Sequence, residues 1–251
     1  MILNLFRYDK NNAGDYNCSP LQYFDFNKEI GIVNTDGESI KTIYNPEHIN
    51  LPIIIGGGGI FYDLQANLIE NLCYKHKGLK IVWGAGFNFY NLKETPNIPY
   101  YFKKINYIGM RDNIYGIEWV PCASCMSNLL DKKYDEKFEI GILEHHESPI
   151  KTNLPKIDNS KKIEEILYFI GSCKKIITNS YHGYYWSVLM NKEVNIMPLN
   201  NSSKFFNLKY KVPVTNHAEL FYDSEKYDFA LKECRESNIR FYNKILNFIG
   251  S

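Results

Sequence analysis

The sequence predicts an α/β fold: two parallel sheets that face one another across a central cleft. Three observations carry this expectation. Short buried apolar runs alternate with helical patterns along the chain, which is the signature of parallel strands joined by crossover helices. The residues with chemical character follow closely on those runs, and in open α/β sheets ligands bind beyond the carboxyl ends of the strands. Finally, Asp131 to Lys137 is charged and has no apolar periodicity, so it reads as a linker between residues 1–130 and 131–251. With 251 residues, 45% of them hydrophobic, the chain is long enough for one large α/β domain or two small ones in tandem.

In order, Met1 to Phe6 reads as the first strand and Asn11 to Asp15 as a polar loop. Ser19-Pro20 has the form of a helix start, a capping residue followed by proline. Gly31 to Asn34 reads as a short strand, and Thr35-Asp36-Gly37 as a turn. Leu51 to Ile55 is a buried strand running into Gly56-Gly57-Gly58-Gly59. Phe61 to His76 is expected to be a helix with Leu64, Leu68, Ile69 and Leu72 on one face, ended by Gly78. Leu79 to Trp83 is a strand closing on a Gly84-Ala85-Gly86 turn, and Asn91 to Pro99 is a loop. Ile105 to Met110 delivers Arg111-Asp112, and Ile117 to Val120 ends at Pro121. In the second half, Phe138 to Leu143 is a strand, and Ser160 caps a helix with Glu164 and Glu165 in its first turns. Ile176 to Thr178 is a short buried strand, and the apolar run after Gly183 reads as a buried helix. Glu193 to Pro198 is a strand and Ser202 to Lys211 a polar loop. Ser224 to Ile249 holds a long helix with Tyr227, Leu231, Ile239, Tyr242 and Leu246 buried.

Composition excludes several classes. With 29 basic and 28 acidic residues there is no electrostatic footprint for nucleic acid or a polybasic membrane patch. The apolar start, Met1 to Phe6, is too short for the core of a signal peptide, and no run spans a bilayer, so a cytoplasmic protein is expected. Six cysteines in a chain of this length do not make a disulfide framework. Cys122-Ala-Ser-Cys125 lacks the second pair or histidines of a structural zinc site and reads as a reduced, partly buried loop. No metal and no cofactor is called for. The dinucleotide fingerprint would need glycine or alanine at Tyr62 or Phe89, and no Gly-Lys-Ser/Thr marks a P-loop.

The candidate site is organised around Thr178-Asn179-Ser180-Tyr181-His182-Gly183. A strand–turn–helix of this kind puts polar side chains at the open N-terminal end of a helix, where free N–H groups and the dipole favour an anion. His182 there can hold or transfer a proton, although the dipole disfavours imidazolium unless a bound anion offsets it. Asn179 and Ser180 are its polar neighbours. Gly57 and Gly58 let backbone approach a ligand or serve only as a tight turn. Asp15 either orients and deprotonates a hydroxyl or bonds its own turn. Arg111 pairs with Asp112 by default, or reaches an anion. Lys204 and Lys209 lie in a segment that reads by default as a solvated loop, or else as one from which both help bind such an anion.

Asn12-x-Gly14-Asp15, Ile55-Gly56-Gly57-Gly58-Gly59, Trp83-Gly84-Ala85-Gly86, Met110-Arg111-Asp112 and Thr178-Asn179-Ser180-Tyr181-His182-Gly183 occur in that order. As an ordered series over about residues 10 to 210, they resemble the polysaccharide pyruvyl transferase family. The resemblance implies two Rossmann-like lobes arranged as in GT-B glycosyltransferases. It implies transfer of the pyruvyl group of phosphoenolpyruvate to two hydroxyls of a sugar in a surface-polysaccharide precursor, forming a ketal. It also implies peripheral contact with a lipid-linked acceptor where the precursor is of that type. On that pattern His182 protonates the methylene carbon of the donor. Many members carry arginine where this chain has Ser180, so the anchoring of the donor anion falls to Arg111 or Lys204. A GT-B-like glycosyltransferase using a sugar nucleotide and a non-catalytic glycan-binding module are the alternatives on the same scaffold.

Overall fold

The computed structural model describes residues 1–35 and 38–250. Asp36 and Gly37 of the expected turn lie outside the described residues, as does the side chain of Leu64. The first half begins with β1 (Ile2–Phe6), buried throughout, then the short α1 (Ala13–Tyr16) and β2 (Ile30–Asn34). Next come β3 (Ile53–Ile55), β4 (Gly58–Phe61), α2 (Asp63–Lys75), β5 (Lys80–Phe87), β6 (Tyr107–Met110) and β7 (Glu118–Trp119). The second half holds β8 (Phe138–Glu144), β9 (Lys156–Asp158), α3 (Ile163–Gly171), β10 (Cys173–Thr178), α4 (Tyr181–Leu189), β11 (Glu193–Ile196) and α5 (Ala230–Gly250).

The strands form two sheets, parallel throughout. The first has the order β2-β1-β3-β5-β6-β7 with β4 paired to β5, and the second β11-β10-β8-β9. In each, the chain steps outward from one strand and then returns to that strand's other side. The reversals fall between β1 and β3 and between β8 and β10. Such switch points leave a crevice at the strand ends, because the two following loops diverge. The runs Ile53-Ile54-Ile55 and Ile176-Ile177-Thr178 are fully buried, as sheets covered on both faces require.

Several local expectations are corrected. Asn11 to Asp15 is not all loop: Asn12 caps α1, its side chain accepting from the N–H groups of Gly14 and Asp15. Phe61 closes β4 instead of opening the helix. Gly84 to Gly86 is not a turn but the interior of β5, where register shifts between Trp83 and Ala85 and Gly84 sits at φ +66°. Ser160 does not cap α3; Lys162 precedes its first residue. On α5 the buried face is Ala230, Cys234, Ser237, Asn238, Phe241, Ile245 and Ile249, while Ile239 is 43% exposed. That face crosses back to the first half: Phe241, Ile245 and Ile249 pack with Ile2, Ile54, Ile81 and Trp83. Asn238 Oδ1 accepts from Trp83 Nε1 at 2.8 Å. A helix late in the chain thus closes the outer face of the first sheet.

Candidate functional site

The two switch points open onto one cavity of about 330 Å³. From the first half it is lined by Arg7, Asn12, Asp15, Gly59 and Arg111, among others, and from the second by His145, Asn159, Ser180, Tyr181, His182 and Lys204. Of the residues the sequence singled out, Asp15, Arg111, Ser180, His182 and Lys204 therefore meet at one place. Gly57, Gly58 and Asn179 are not among the lining residues.

The positions of these three have local causes. A Cβ at Gly57 would run into the backbone of Cys18, so that glycine admits the chain that follows α1. Gly58 has φ +86° and carries the chain into β4. Asn4, buried in β1, donates to Ile54 O at 3.2 Å and Gly56 O at 2.8 Å, fixing the end of β3 beside it. Asn179 accepts from His145 N at 2.7 Å and donates to Ser148 O at 2.8 Å. It therefore holds the 145–148 loop that forms part of the cavity wall, and acts at one remove.

The turn before α4 is built by Thr178. Its hydroxyl donates to Leu143 O at 2.6 Å and accepts from Ser180 N at 3.0 Å. A Cβ at Gly183 would overlap that hydroxyl, which explains threonine and glycine at this spacing. Ser180 is the N-cap, accepting from Gly183 N at 3.5 Å, and His182 stands in the first helical turn. The helix therefore begins two residues before Gly183, earlier than the apolar run suggests. Across the cleft, a Cβ at Gly14 would overlap His182 Nδ1. The Asn-x-Gly-Asp and Thr-x-x-x-His-Gly motifs thus meet through the imidazole, and only a residue without a side chain fits beneath it.

Arg111 and Lys204 are both buried, with exposures of 4% and 7%. Neither forms an ion pair among the described residues. The default Arg111–Asp112 pair is absent because the Asp112 carboxylate turns to accept from Phe87 N at 3.0 Å. The Arg111 guanidinium lies over the Tyr181 ring, 3.8 Å from its centroid, and its Nε has no hydrogen-bond partner. Tyr181, a polar neighbour of His182 in the sequence, carries no site role there; its place one residue before His182, at the start of α4, is the signal that marks it as the platform for Arg111. Lys204 departs from the solvated loop it was expected to occupy. Burial, and then the neighbouring Arg111, bring its ammonium down to about 8.

The same field acts on the two proton-handling groups. Burial, then Arg111 and Lys204, push the His182 imidazole well below its ordinary value, which favours the neutral ring. Burial raises Asp15 to about 6 against the opposing pull of Arg7, Arg111 and Lys204. Asp15 is held by Asn12 Nδ2 at 3.0 Å and faces Arg7 Nε at 3.6 Å. All six cysteines are free and buried. Among the described residues no cluster of histidine, cysteine and carboxylate side chains has the arrangement of a metal site, and no helix is long and apolar enough to cross a membrane.

None of the curated proteins matches the chain. The family model described as polysaccharide pyruvyl transferase matches residues 4–201, a span that runs from β1 past both switch points to the edge of the cavity. By that match, and with its motifs converging on a single cleft, the chain belongs to the polysaccharide pyruvyl transferase family.

Proposed function

We propose that the protein transfers the pyruvyl group of phosphoenolpyruvate to two hydroxyls of a sugar in a polysaccharide precursor, closing a ketal. The observation that carries this reading is the pair of buried cations, Arg111 and Lys204, which line the cavity beside His182 and form no ion pair among the described residues. An unpaired buried charge costs several kcal/mol, so such a pair is retained where a ligand supplies the missing anion. Phosphoenolpyruvate carries two acidic groups on three carbons and suits a compact cationic seat at a helix N-terminus.

Binding also prepares the acid. Two of the causes that keep His182 neutral are Arg111 and Lys204, and a bound anion offsets both. The imidazole then takes up a proton and passes it to the methylene carbon of the donor. A new C–H bond forms from the C=C electron pair, leaving an oxocarbenium-like centre at the adjacent carbon. A sugar hydroxyl attacks that centre and gives its proton to Asp15. The second hydroxyl then displaces phosphate and closes the ring, the C–O bond to phosphate breaking and the hydroxyl's proton leaving on the phosphate. The proton held by Asp15 balances the one that His182 gave to carbon. Arg111 and Lys204 stabilise the phosphate as charge builds on it.

The test is ligand-induced stabilisation followed by turnover. At a hundred times its Kd, phosphoenolpyruvate should stabilise the native state by about 2.7 kcal/mol, a rise in Tm of roughly 5–10 °C for a chain of this size. With a nucleotide- or lipid-linked sugar acceptor, wild-type protein should release phosphate, whereas His182→Ala should fold and release none. Stabilisation by sugar nucleotides with no response to phosphoenolpyruvate would overturn the proposal in favour of glycosyl transfer.

A further inference from the structure

The Cys122–Cys125 stretch takes no part in the steps above, yet it lies directly behind the imidazole. Cys122 Sγ is 3.5 Å from His182 Nε2 and 3.2 Å from Ser124 Oγ. Ser124 Oγ is 3.0 Å from Trp186 Nε1. Cys122 and Ser124 are 0% exposed and Trp186 is 1% exposed, so no water competes for these contacts.

The direction of this chain is set from its far end. An indole N–H can only donate, so Ser124 Oγ is the acceptor from Trp186. The Ser124 hydroxyl hydrogen is then free to point at Cys122 Sγ. A thiol that accepts from Ser124 keeps one hydrogen, and the remaining polar neighbour for it is His182 Nε2. The Trp186 ring also packs against the imidazole, with centroids 5.2 Å apart, and Gly14 closes the opposite side at Nδ1.

We propose that Trp186, Ser124 and Cys122 form a directed hydrogen-bond relay that fixes Nε2 of His182 as an acceptor. The neutral ring then carries its hydrogen on Nδ1, on the Gly14 side, where Asn12 and Asp15 line the cavity. Cys122 is a positioning residue: it lies behind the ring and cannot reach a substrate. Burial pushes the Cys122 thiol up and the imidazole down, which keeps the two neutral and not a thiolate–imidazolium pair.

The geometry stands apart from the pyruvyl-transfer reading; only its consequence rests on that reading. In the donor-bound imidazolium, the proton that reaches the methylene carbon is the one on Nδ1. Formation of the imidazolium places a hydrogen on Nε2, at which the Cys122 sulfur turns from donor to acceptor. The Nδ1–H bond then breaks as the C–H bond forms, leaving the ring as its Nε2–H tautomer. The relay therefore decides which face of the ring delivers the proton.

Nitrogen-15 and carbon-13 NMR of histidine-labelled protein reads the tautomer without turnover, with the His182 signals assigned by their loss in His182→Gln. In the free wild-type protein the Nδ1–H form should dominate. Cys122→Ala should shift the tautomer ratio toward Nε2–H by on the order of fivefold, the equivalent of one hydrogen bond. Cys122→Ser, which keeps a donor, should restore it, and phosphoenolpyruvate affinity should be unchanged in both. If Cys122→Ala does not fold, Cys122→Val fills the thiol's volume without a polar hydrogen and should give the same shift. An Nε2–H ring in the wild type, or an Nδ1–H ring that survives loss of the thiol, overturns the relay. Failure of the wild type to bind phosphoenolpyruvate would count against pyruvyl transfer and leave the tautomer result intact.

Discussion

Arg111 and Arg235 are treated in opposite ways by the same fold. Arg235, on α5, grips Asp131 with both terminal nitrogens, at 2.7 and 3.0 Å, and donates to Cys125 O at 2.9 Å and Ser127 O at 3.0 Å. Its guanidinium is consumed by protein groups and pins α5 to the turn that ends the first half. Arg111 is the more deeply buried of the two, yet among the described residues it has a ring face for a partner and no ion-paired carboxylate. A fold that pairs one arginine so fully and leaves the other open separates cohesion from recognition.

The comparison breaks if the two arginines respond alike to truncation. Arg111→Ala should weaken phosphoenolpyruvate binding by on the order of 100-fold, as loss of charge-assisted bonds predicts, and leave the Tm near that of the wild type. Arg235→Ala should leave donor affinity unchanged and destabilise the fold by about 2 kcal/mol, since two carbonyls and a carboxylate lose their donors. Isothermal titration and urea denaturation separate the outcomes.

Lys204 sharpens the same contrast with a change of sign. An unfolded lysine titrates near 10.5, whereas Lys204 in the fold titrates at about 8. Between those values the unfolded chain holds the proton and the native one does not, so stability rises with pH there. Below pH 8 the penalty of holding a charged ammonium is present in full, about 3 kcal/mol. Lys204→Met should therefore raise the urea midpoint of the free protein at pH 7 while weakening phosphoenolpyruvate binding by roughly tenfold. For the wild type, donor affinity should fall as pH climbs past 8.

Asp15 sets the other limb. With its carboxyl at about 6, it is ionised at neutral pH and can accept the hydroxyl proton. Turnover should fall by about tenfold per unit as pH drops below 6. Asp15→Asn should remove that limb from the pH–rate profile, together with most of the activity.

How much of this could be read beforehand depends on the range of the signal. The Thr178 to Gly183 turn and the strands at Ile53 and Ile176 are legible because short-range chemistry specifies them: caps, buried apolar runs and glycines at close approaches. The ordered motifs then carried the family. The fate of Lys204 was not legible, because a Ser/Asn/Lys-rich loop looks solvated and only the fold shows it buried in the cleft wall. The same holds for Arg111 and Asp112, whose adjacency suggests a pair until Phe87 N takes the carboxylate. Gly84 to Gly86 misled in the other direction, since glycine inside a strand and glycine in a turn look alike until pairing is known. The helical period of α5 is visible in the sequence but its phase is not: an apolar Ile239 suggests a buried position, yet the helix turns Asn238 and Phe241 inward.

Lys209 provides the smallest effect and the cleanest control on Lys204. The two lysines share one segment, and each sits near an aromatic ring, Lys209 at 4.7 Å from the centroid of Trp119 and Lys204 at 5.2 Å from that of Phe205. Lys209 reaches Glu233 at 3.2 Å with both side chains about one-third exposed, and it lies outside the cavity lining. A solvent-screened pair of this kind contributes under about 1 kcal/mol. Lys209→Met should lower stability by no more than that, lose even this difference in high salt, and leave phosphoenolpyruvate affinity untouched. A binding defect as large as that of Lys204→Met would mean that the loop acts through its overall charge. In that event burial of a single unpartnered ammonium could no longer explain donor recognition.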